Sequence, residues 1–423
     1  MTRRRRNSDG EEHSSEAPKP LNPPDSFSRA IELLLYAASP LATLITAPLL
    51  ARELGPSERG QFGVALAVGT FALTLAAWGQ AEMYLSEARF GRFSVRRQSR
   101  ITWVGGCVVG VFCIVALILL GIPPLTSILT GVWVPVLAQA NVWRAVCVAL
   151  GRLKQPALFT AGAPLLRVVA LVALLLTSSL TLDSAVTATQ VTAALAAFVT
   201  MWLIVRRIPR SLNPESSSVI PLLRGGGTII TFSLLNAVTL RSDLVILQIF
   251  ATSTEVGLYA APASLTTAAL ALSGAYKSRL QAATFFTNSR ASVAREALPV
   301  LALGLLGAGI LWFGAPALVN FFFGPEYAGS VPLLRLLGFA TVPLLMVDLA
   351  HGLLVALGRR HNLIAAGGAG AAAVVLSLLA LTPDLGAVGA AIACILGYSV
   401  AAVVSWAFVY KNLKTHSREP EDS

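Results

Sequence analysis

A handful of polar side chains stand inside long apolar stretches of this chain, and their types limit the chemistry open to it. Four are arginines: Arg144, Arg167, Arg241 and Arg335. A guanidinium presents a planar fork of N–H donors that fits the paired oxygens of a phosphate, so inward-turned arginines suit an anionic ligand. Around Arg241 stand Asn236 and Asp243, and further on come Asp348 and His351. Such groups can carry a proton or hold a small cation. Arg241 and Asp243 are two residues apart, which puts them on different faces of a helix and predicts that they do not pair with each other. Asp348 and His351, three apart, share a face. Two readings of these charges stay open: each pairs with a neighbouring helix and holds a bundle together, or they line a polar cavity.

The elements that must position them are membrane helices. Hydrophobic residues make up 55% of the 423, charged residues 13%, and the mean hydropathy is +0.71. A soluble chain of this length carries roughly twice that share of charge. Apolar stretches longer than ~18 residues recur, each able to cross a ~30 Å hydrocarbon core. A β-barrel would alternate apolar and polar residues instead. The expected fold class is an all-α polytopic membrane protein with about twelve spans: 30–51, 61–86, 101–122, 126–150, 156–179, 183–205, 225–250, 256–276, 297–322, 331–357, 361–382 and 385–409. Arg144 and Arg335 lie near span ends, where a long side chain can snorkel to the interface. Arg167, Arg241, Asp243, Asp348 and His351 lie deeper. Each mid-membrane charge costs ~2.5–3.5 kcal/mol on insertion scales, so the deep pair of arginines calls for a polar cavity or for partners.

Charge gives the direction. Lys and Arg collect in alternate loops, at Arg3–Arg6, Arg89–Arg100, Arg152 and Lys154, Arg206–Arg224, Lys277–Arg295, Arg359 and Arg360, and Lys411–Arg418. Positive loops stay cytoplasmic, so both termini are expected there. The intervening loops hold Arg52 and Arg59, which read as offset by Glu53 and Glu58. The net charge of +11 is then loop charge facing anionic lipid, with no nucleic-acid partner. Residues 1–28 read as a disordered basic cytoplasmic tail, 29–205 as an N-terminal six-helix lobe, 206–224 as a cytoplasmic linker, 225–410 as a C-terminal six-helix lobe, and 411–423 as a cytoplasmic tail. The four cysteines, Cys107, Cys113, Cys147 and Cys394, all fall inside spans and read as packing residues. They offer no metal pattern.

The halves echo one another. Gly60-Gln61-Phe62-Gly63 opens the second span and Gly257-Leu258-Tyr259-Ala260 the eighth, offset by 197 residues. Val148-Ala149-Leu150-Gly151-Arg152 recurs as Val355-Ala356-Leu357-Gly358-Arg359, and Pro135 corresponds to Pro343. Six spans per half give both halves one orientation, a parallel repeat about an axis along the membrane normal, with the site between the lobes.

Leu49-Leu50-Ala51-Arg52-Glu53-Leu54-Gly55-Pro56-Ser57-Glu58-Arg59-Gly60-Gln61-Phe62-Gly63 resembles the first outer loop of bacterial polysaccharide and O-antigen (Wzx-type) flippases. These belong to the multidrug/oligosaccharidyl-lipid/polysaccharide exporter superfamily. Two further stretches fit the same family: Leu240–Leu247 with Glu255–Ala260, and Phe323-Gly324-Pro325-Glu326-Tyr327. The resemblance implies two lobes around a central cavity in the bacterial cytoplasmic membrane. It also implies flipping of a polyprenyl-diphosphate-linked oligosaccharide from the inner to the outer leaflet by alternating access, for cell-surface polysaccharide synthesis. On that reading Arg241, Arg167, Arg144 and Arg335 grip the diphosphate. Asp243, Asn236, Asp348 and His351 are the polar cavity or coupling residues, with a proton or Na⁺ as the ion. Membrane lipids and other polysaccharide-assembly proteins are the further partners. No cofactor and no catalytic residue is expected. The competing readings are a cation-coupled multidrug exporter of the same superfamily and a membrane glycosyltransferase or polymerase. The latter wants a sizeable outer loop with acids or His, and here the outer loops are short. No P-loop is present for ATP hydrolysis.

The orientation is checked by cysteine accessibility. Cysteines at Ser57, Thr254 and Ala328 are expected to react with an impermeant thiol reagent applied outside, and ones at Ser94 and Ser217 to stay protected. The reverse pattern would contradict the charge-based topology.

Overall fold

The computed structural model describes residues 26–77, 95–149, 154–205, 219–266 and 290–416. Among them every regular element is a helix. In chain order these are α1 (Ser26–Ala77), α2 (Val95–Leu119), α3 (Pro124–Val132), α4 (Val134–Ala149), α5 (Lys154–Leu176), α6 (Leu182–Val205) and α7 (Val219–Phe250). There follow α8 (253–266), α9 (Arg290–Phe322), a 3₁₀ turn (Pro325–Ser330), α10 (Val331–Ala356) and α11 (Arg360–His416).

The two longest helices are each two spans. α1 passes through Gly55 at φ 68°, ψ 174°, and α11 passes through Gly386 at φ 54°, ψ −133°. Both conformations lie where a Cβ is strained, so a single glycine reverses the chain without a loop. Pro56 and Pro383 flank these reversals. Dividing α1 and α11 there, and joining α3 to α4 through Trp133, gives a helical run for each of the twelve expected spans. Among the described residues eight stretches are long and apolar enough to cross a membrane by length and composition, and two of these, Leu41–Ala77 and Arg360–Leu413, contain the reversals.

Some boundaries differ from the sequence expectation. The expected loop at 52–60 is helical on both sides of Gly55, so Arg52 and Arg59 stand on helices. α7 begins at Val219, inside the expected linker, and α11 continues to His416, inside the expected tail. Residues 1–25, 206–218 and 417–423, which carry the rest of the expected tails and linker, lie outside the described residues.

The helices form two groups. α1 packs with α2 to α6, and α7, α9, α10 and α11 pack with one another. The groups meet through α1, α7 and α8 at one end of the bundle, the end that holds Gly55. A Cβ at Gly60 would stand 2.8 Å from the Gly257 nitrogen, and one at Gly63 would stand 3.2 Å from the Ala260 Cβ. The repeat motif opening the second span therefore packs against its own counterpart opening the eighth. Equivalent positions meet across a local two-fold, in the manner of an isologous interface. Only glycine lets two helix backbones approach this closely.

Three further contacts join the groups at this end. The Tyr327 hydroxyl donates to the Ala51 carbonyl at 3.0 Å. Arg52 donates to the carbonyls of Phe321 and Phe322. Gln248 Nε2 donates to the Leu120 carbonyl at 3.2 Å. Around them lies one apolar cluster shared by both groups, with Val64, Ala67 and Val68 from α1, Leu117 from α2, and Leu247, Val256 and Tyr259 from α7 and α8.

A side chain forced into this contact costs about 1–3 kcal/mol, as overpacking does elsewhere. Spin labels at Ser57 and Thr254, both exposed, report the separation. Gly257→Val is expected to lengthen that distance and to broaden its distribution. An unchanged distribution would mean that the contact tolerates a side chain.

Candidate functional site

The residues singled out by sequence fall into separate places. Arg241 and Asp243 line one small cavity within the second group, between α7, α8, α10 and α11. Tyr259, Thr266, Thr341 and Tyr398 complete its polar lining. Its volume is about 60 Å³, and a single water needs ~10–15 Å³ on such a measure. The space suits a few waters or a small ion, not a diphosphate.

Asp243 is buried and well supplied with donors. The Tyr259 hydroxyl donates to Oδ2 at 2.7 Å, and the Leu244 N–H to Oδ1 at 2.8 Å. The Cys394 Sγ lies 3.9 Å from Oδ2 and 3.3 Å from the Tyr259 hydroxyl. Arg241, two residues earlier on α7, acts on the carboxyl electrostatically. The expectation from helix faces separated Arg241 from Asp243, yet the long arginine side chain brings both to the same cavity. Cys394, expected only to pack, is a member of this polar network.

Arg167 lies in the first group, half-buried on α5. One of its terminal nitrogens is 3.5 Å from the buried Thr46 hydroxyl on α1, and its Nε has no hydrogen-bond partner. Arg335 sits elsewhere. It donates from Nε to the Trp312 carbonyl at 3.2 Å and lies 5.7 Å from that indole centroid, so it is a cation–π partner at the edge of α9. His351 is buried edge-on against the Phe232 ring at 5.2 Å, in an apolar cluster away from the Gly55 end. Asp348, one turn earlier, is half-buried, as is Asn236 on α7. The side chain of Arg144 lies outside the described residues.

One residue went unrecognised in the sequence. Arg59 was expected to be a loop charge offset by Glu58. It is instead only 6% exposed, on the first turn after Gly55, while Glu58 is exposed. Its guanidinium carbon lies 5.5 Å from the Phe62 ring centroid, and a Cβ built on Gly63 would be 3.9 Å from its Nη1. Its electrostatic neighbours are the Tyr327 hydroxyl, across the interface, and Arg167. The one sequence cue was its place directly before Gly60 of the repeat motif.

Comparisons with known proteins follow this geometry. A family model described as polysaccharide biosynthesis protein matches residues 30–285. The chain belongs to that family. No curated protein matches it. Among solved structures it is similar to an inward-facing multidrug resistance MATE family transporter of the MOP superfamily. That match has a TM-score of 0.66 and 15% identity, and covers 92% of this chain and 99% of the other. It is also similar to the lipid II flippase MurJ in an inward closed conformation. Here the TM-score is 0.66 and the identity 12%, over 91% and 90% of the two chains. An outward-facing MATE transporter scores 0.58 at 13% identity, over 92% and 97%. These likenesses place the twelve-span, two-lobed fold of MOP superfamily transporters on this multi-pass membrane chain. The family member's two groups of helices are its lobes.

Tyr259→Phe removes a donor from the buried Asp243. Hydrogen bonds to charged groups contribute about 1.5–3 kcal/mol, so the variant is expected to melt several degrees lower in detergent. Adding Asp243→Asn should recover part of the loss, because the two changes act on one network. Strict additivity of the two would break the assigned coupling.

Proposed function

We propose that this protein flips a polyprenyl-diphosphate-linked oligosaccharide from the inner to the outer leaflet of the bacterial cytoplasmic membrane. The N-terminal lobe (29–205) and the C-terminal lobe (225–410) rock about their contact, and both termini are cytoplasmic. The observation that carries the reading is the closure of the two lobes on each other at the Gly55 end, in a member of a polysaccharide biosynthesis family. That end carries the short connections poor in Lys and Arg, which the positive-inside rule assigns to the outside. The higher similarity to inward-facing relatives agrees with a cleft closed outward.

The lobes divide the chemistry. In the N-terminal lobe Arg167 offers an anion a guanidinium whose Nε is unpaired. The diphosphate binds there, the sugar occupies the cleft, and the prenyl chain stays in lipid. In the C-terminal lobe Asp243, beside Arg241, Tyr259 and Tyr398, exchanges a proton or a small cation as the lobes move. The same acid favours the second reading, a cation-coupled multidrug exporter, which would bind organic cations and not anions.

The membrane potential favours the outward step. Moving one charge through 100 mV is worth ~2.3 kcal/mol, so a dianion leaving a negative cytoplasm gains up to ~4.6 kcal/mol.

The test is transport in proteoliposomes with a fluorescent polyprenyl-diphosphate oligosaccharide. The wild type is expected to flip it and not a zwitterionic phospholipid of equal label. Arg167→Ala should lower the rate about tenfold at unchanged abundance, and Arg167→Lys should recover only part, because the fork is lost. Export of organic cations with no flipping of the glycolipid would favour the multidrug reading.

A further inference from the structure

α9 is held mainly on one side. Among the described residues it packs chiefly on α10 and on the 3₁₀ turn that follows it, and it is the least buried of the eight apolar stretches. Toward the second half of α11 it leaves a groove of about 440 Å³. That volume falls in the range of ligand pockets, ~300–1,000 Å³. Ala294, Leu298 and Leu301 line it from α9, Ala402 and Trp406 from α11, and Met346 from α10 between them. Alanines on both walls leave room that bulkier side chains would fill. The Trp406 indole N–H is donated to the Met346 carbonyl at 3.1 Å, which fixes the ring and ties up its one donor. The groove therefore accepts hydrocarbon and offers nothing to a polar ligand along its length.

Its mouth is different. The groove lies in the half of the bundle away from Gly55, where α9 starts at Arg290 and α11 ends at His416. Arg295 stands beside Ala294, and Lys411 little more than a turn beyond Trp406; both are exposed. Arg359 and Arg360 are exposed in the neighbouring turn between α10 and α11, and no exposed acid is described at this end of the second group. The positive-inside rule assigns that end to the cytoplasm. Basic pockets between membrane helices on the cytoplasmic side suit acidic lipid headgroups. A second copy of the chain seated there by two-fold symmetry would set these cations against their own equivalents. The prenyl tail of a transported lipid fits no better, because none of the lining residues belongs to α1, α7 or α8, where the lobes meet.

We infer that this groove is a phospholipid site: one acyl chain of an anionic phospholipid of the cytoplasmic leaflet lies between α9 and α11, with its phosphate held by Arg295 and Lys411. The chain supplies the packing that α9 lacks on this side, so the lipid fastens α9 to its lobe. The inference rests on the orientation of the molecule in the membrane and not on the identity of what it transports.

The experiment is native mass spectrometry of the full chain in detergent, titrated with phosphatidylglycerol or with phosphatidylcholine of the same acyl chains. Wild type is expected to hold phosphatidylglycerol at least tenfold more tightly than phosphatidylcholine, and to melt several degrees higher in its presence, as a ligand of the folded state does. Ala297→Phe and Ala402→Phe, which fill the groove, should each weaken phosphatidylglycerol binding at least tenfold. Arg295→Gln combined with Lys411→Gln should bring phosphatidylglycerol down to the level of phosphatidylcholine. Arg100→Gln, exposed at the start of α2 in the other lobe, should change nothing. Should the phenylalanine variants unfold, the glutamine pair decides by itself. Equal binding of the two lipids by wild type, or phosphatidylglycerol binding that the glutamine pair or a folded phenylalanine variant leaves unchanged, overturns the site. Tighter binding of a prenyl diphosphate than of phosphatidylglycerol, lost on the same substitutions, would give the groove to the transported lipid and overturn the assignment. So would a dimer that the phenylalanine variants dissolve, which would give it to a second copy. Every one of these readouts is independent of whether the protein flips a glycolipid.

Discussion

The approach of Gly60 to Gly257 is the constraint on which the rest of the molecule depends. Two helix backbones meet there at a distance that admits no side chain. The meeting requires that α1 reverse at one residue, which the positive φ of Gly55 provides. It requires small partners one turn on, which Gly63 and Ala260 supply. It also joins positions related by the internal repeat, so one duplicated motif serves as both halves of the contact. Packing of backbone and small residues, with hydrogen bonds from Tyr327, Gln248 and Arg52 to backbone carbonyls, joins the lobes there.

Beneath that contact the two lobes present opposite chemistry. In the N-terminal lobe the Nε atoms of Arg59 and Arg167 have no hydrogen-bond partner among the described residues. The C-terminal lobe carries a buried acid enclosed by tyrosines, in a space fit for waters or an ion. Arg167 and Asp243 therefore stand on separate lobes, Arg167 beside α1 and Asp243 on α7 against Tyr259 of α8. Coupling between them needs no direct contact, because a shift of either lobe changes both environments at once.

Much of the fold was legible in the sequence. Apolar length gave the spans, and the two glycine motifs revealed the repeat whose copies touch. The site was legible only in part. Arg59 was misread because Glu58 stood beside it in an apparent loop, and nothing in composition shows that a one-residue turn at Gly55 makes that loop helical. Helix geometry put Arg241 and Asp243 on different faces, which does not show that both border one cavity. Cys394 looked like an apolar filler until Asp243 and Tyr259 were found beside it. Arg335 looked like a member of the arginine set, yet its guanidinium covers Trp312. In each case the missing information was the identity of the neighbour on another helix, which a single sequence does not contain.

The central claim is that the lobes must part at the Gly55 end for substrate to leave. A short reducible crosslinker between cysteines at Ser57 and Thr254, which lie on opposite lobes beside the glycine contact, tests it most directly. Flipping of the diphosphate-linked glycolipid is predicted to stop when the lobes are tethered and to return on reduction, with either single cysteine unaffected by the reagent. Undiminished flipping by the fully tethered protein would contradict the account.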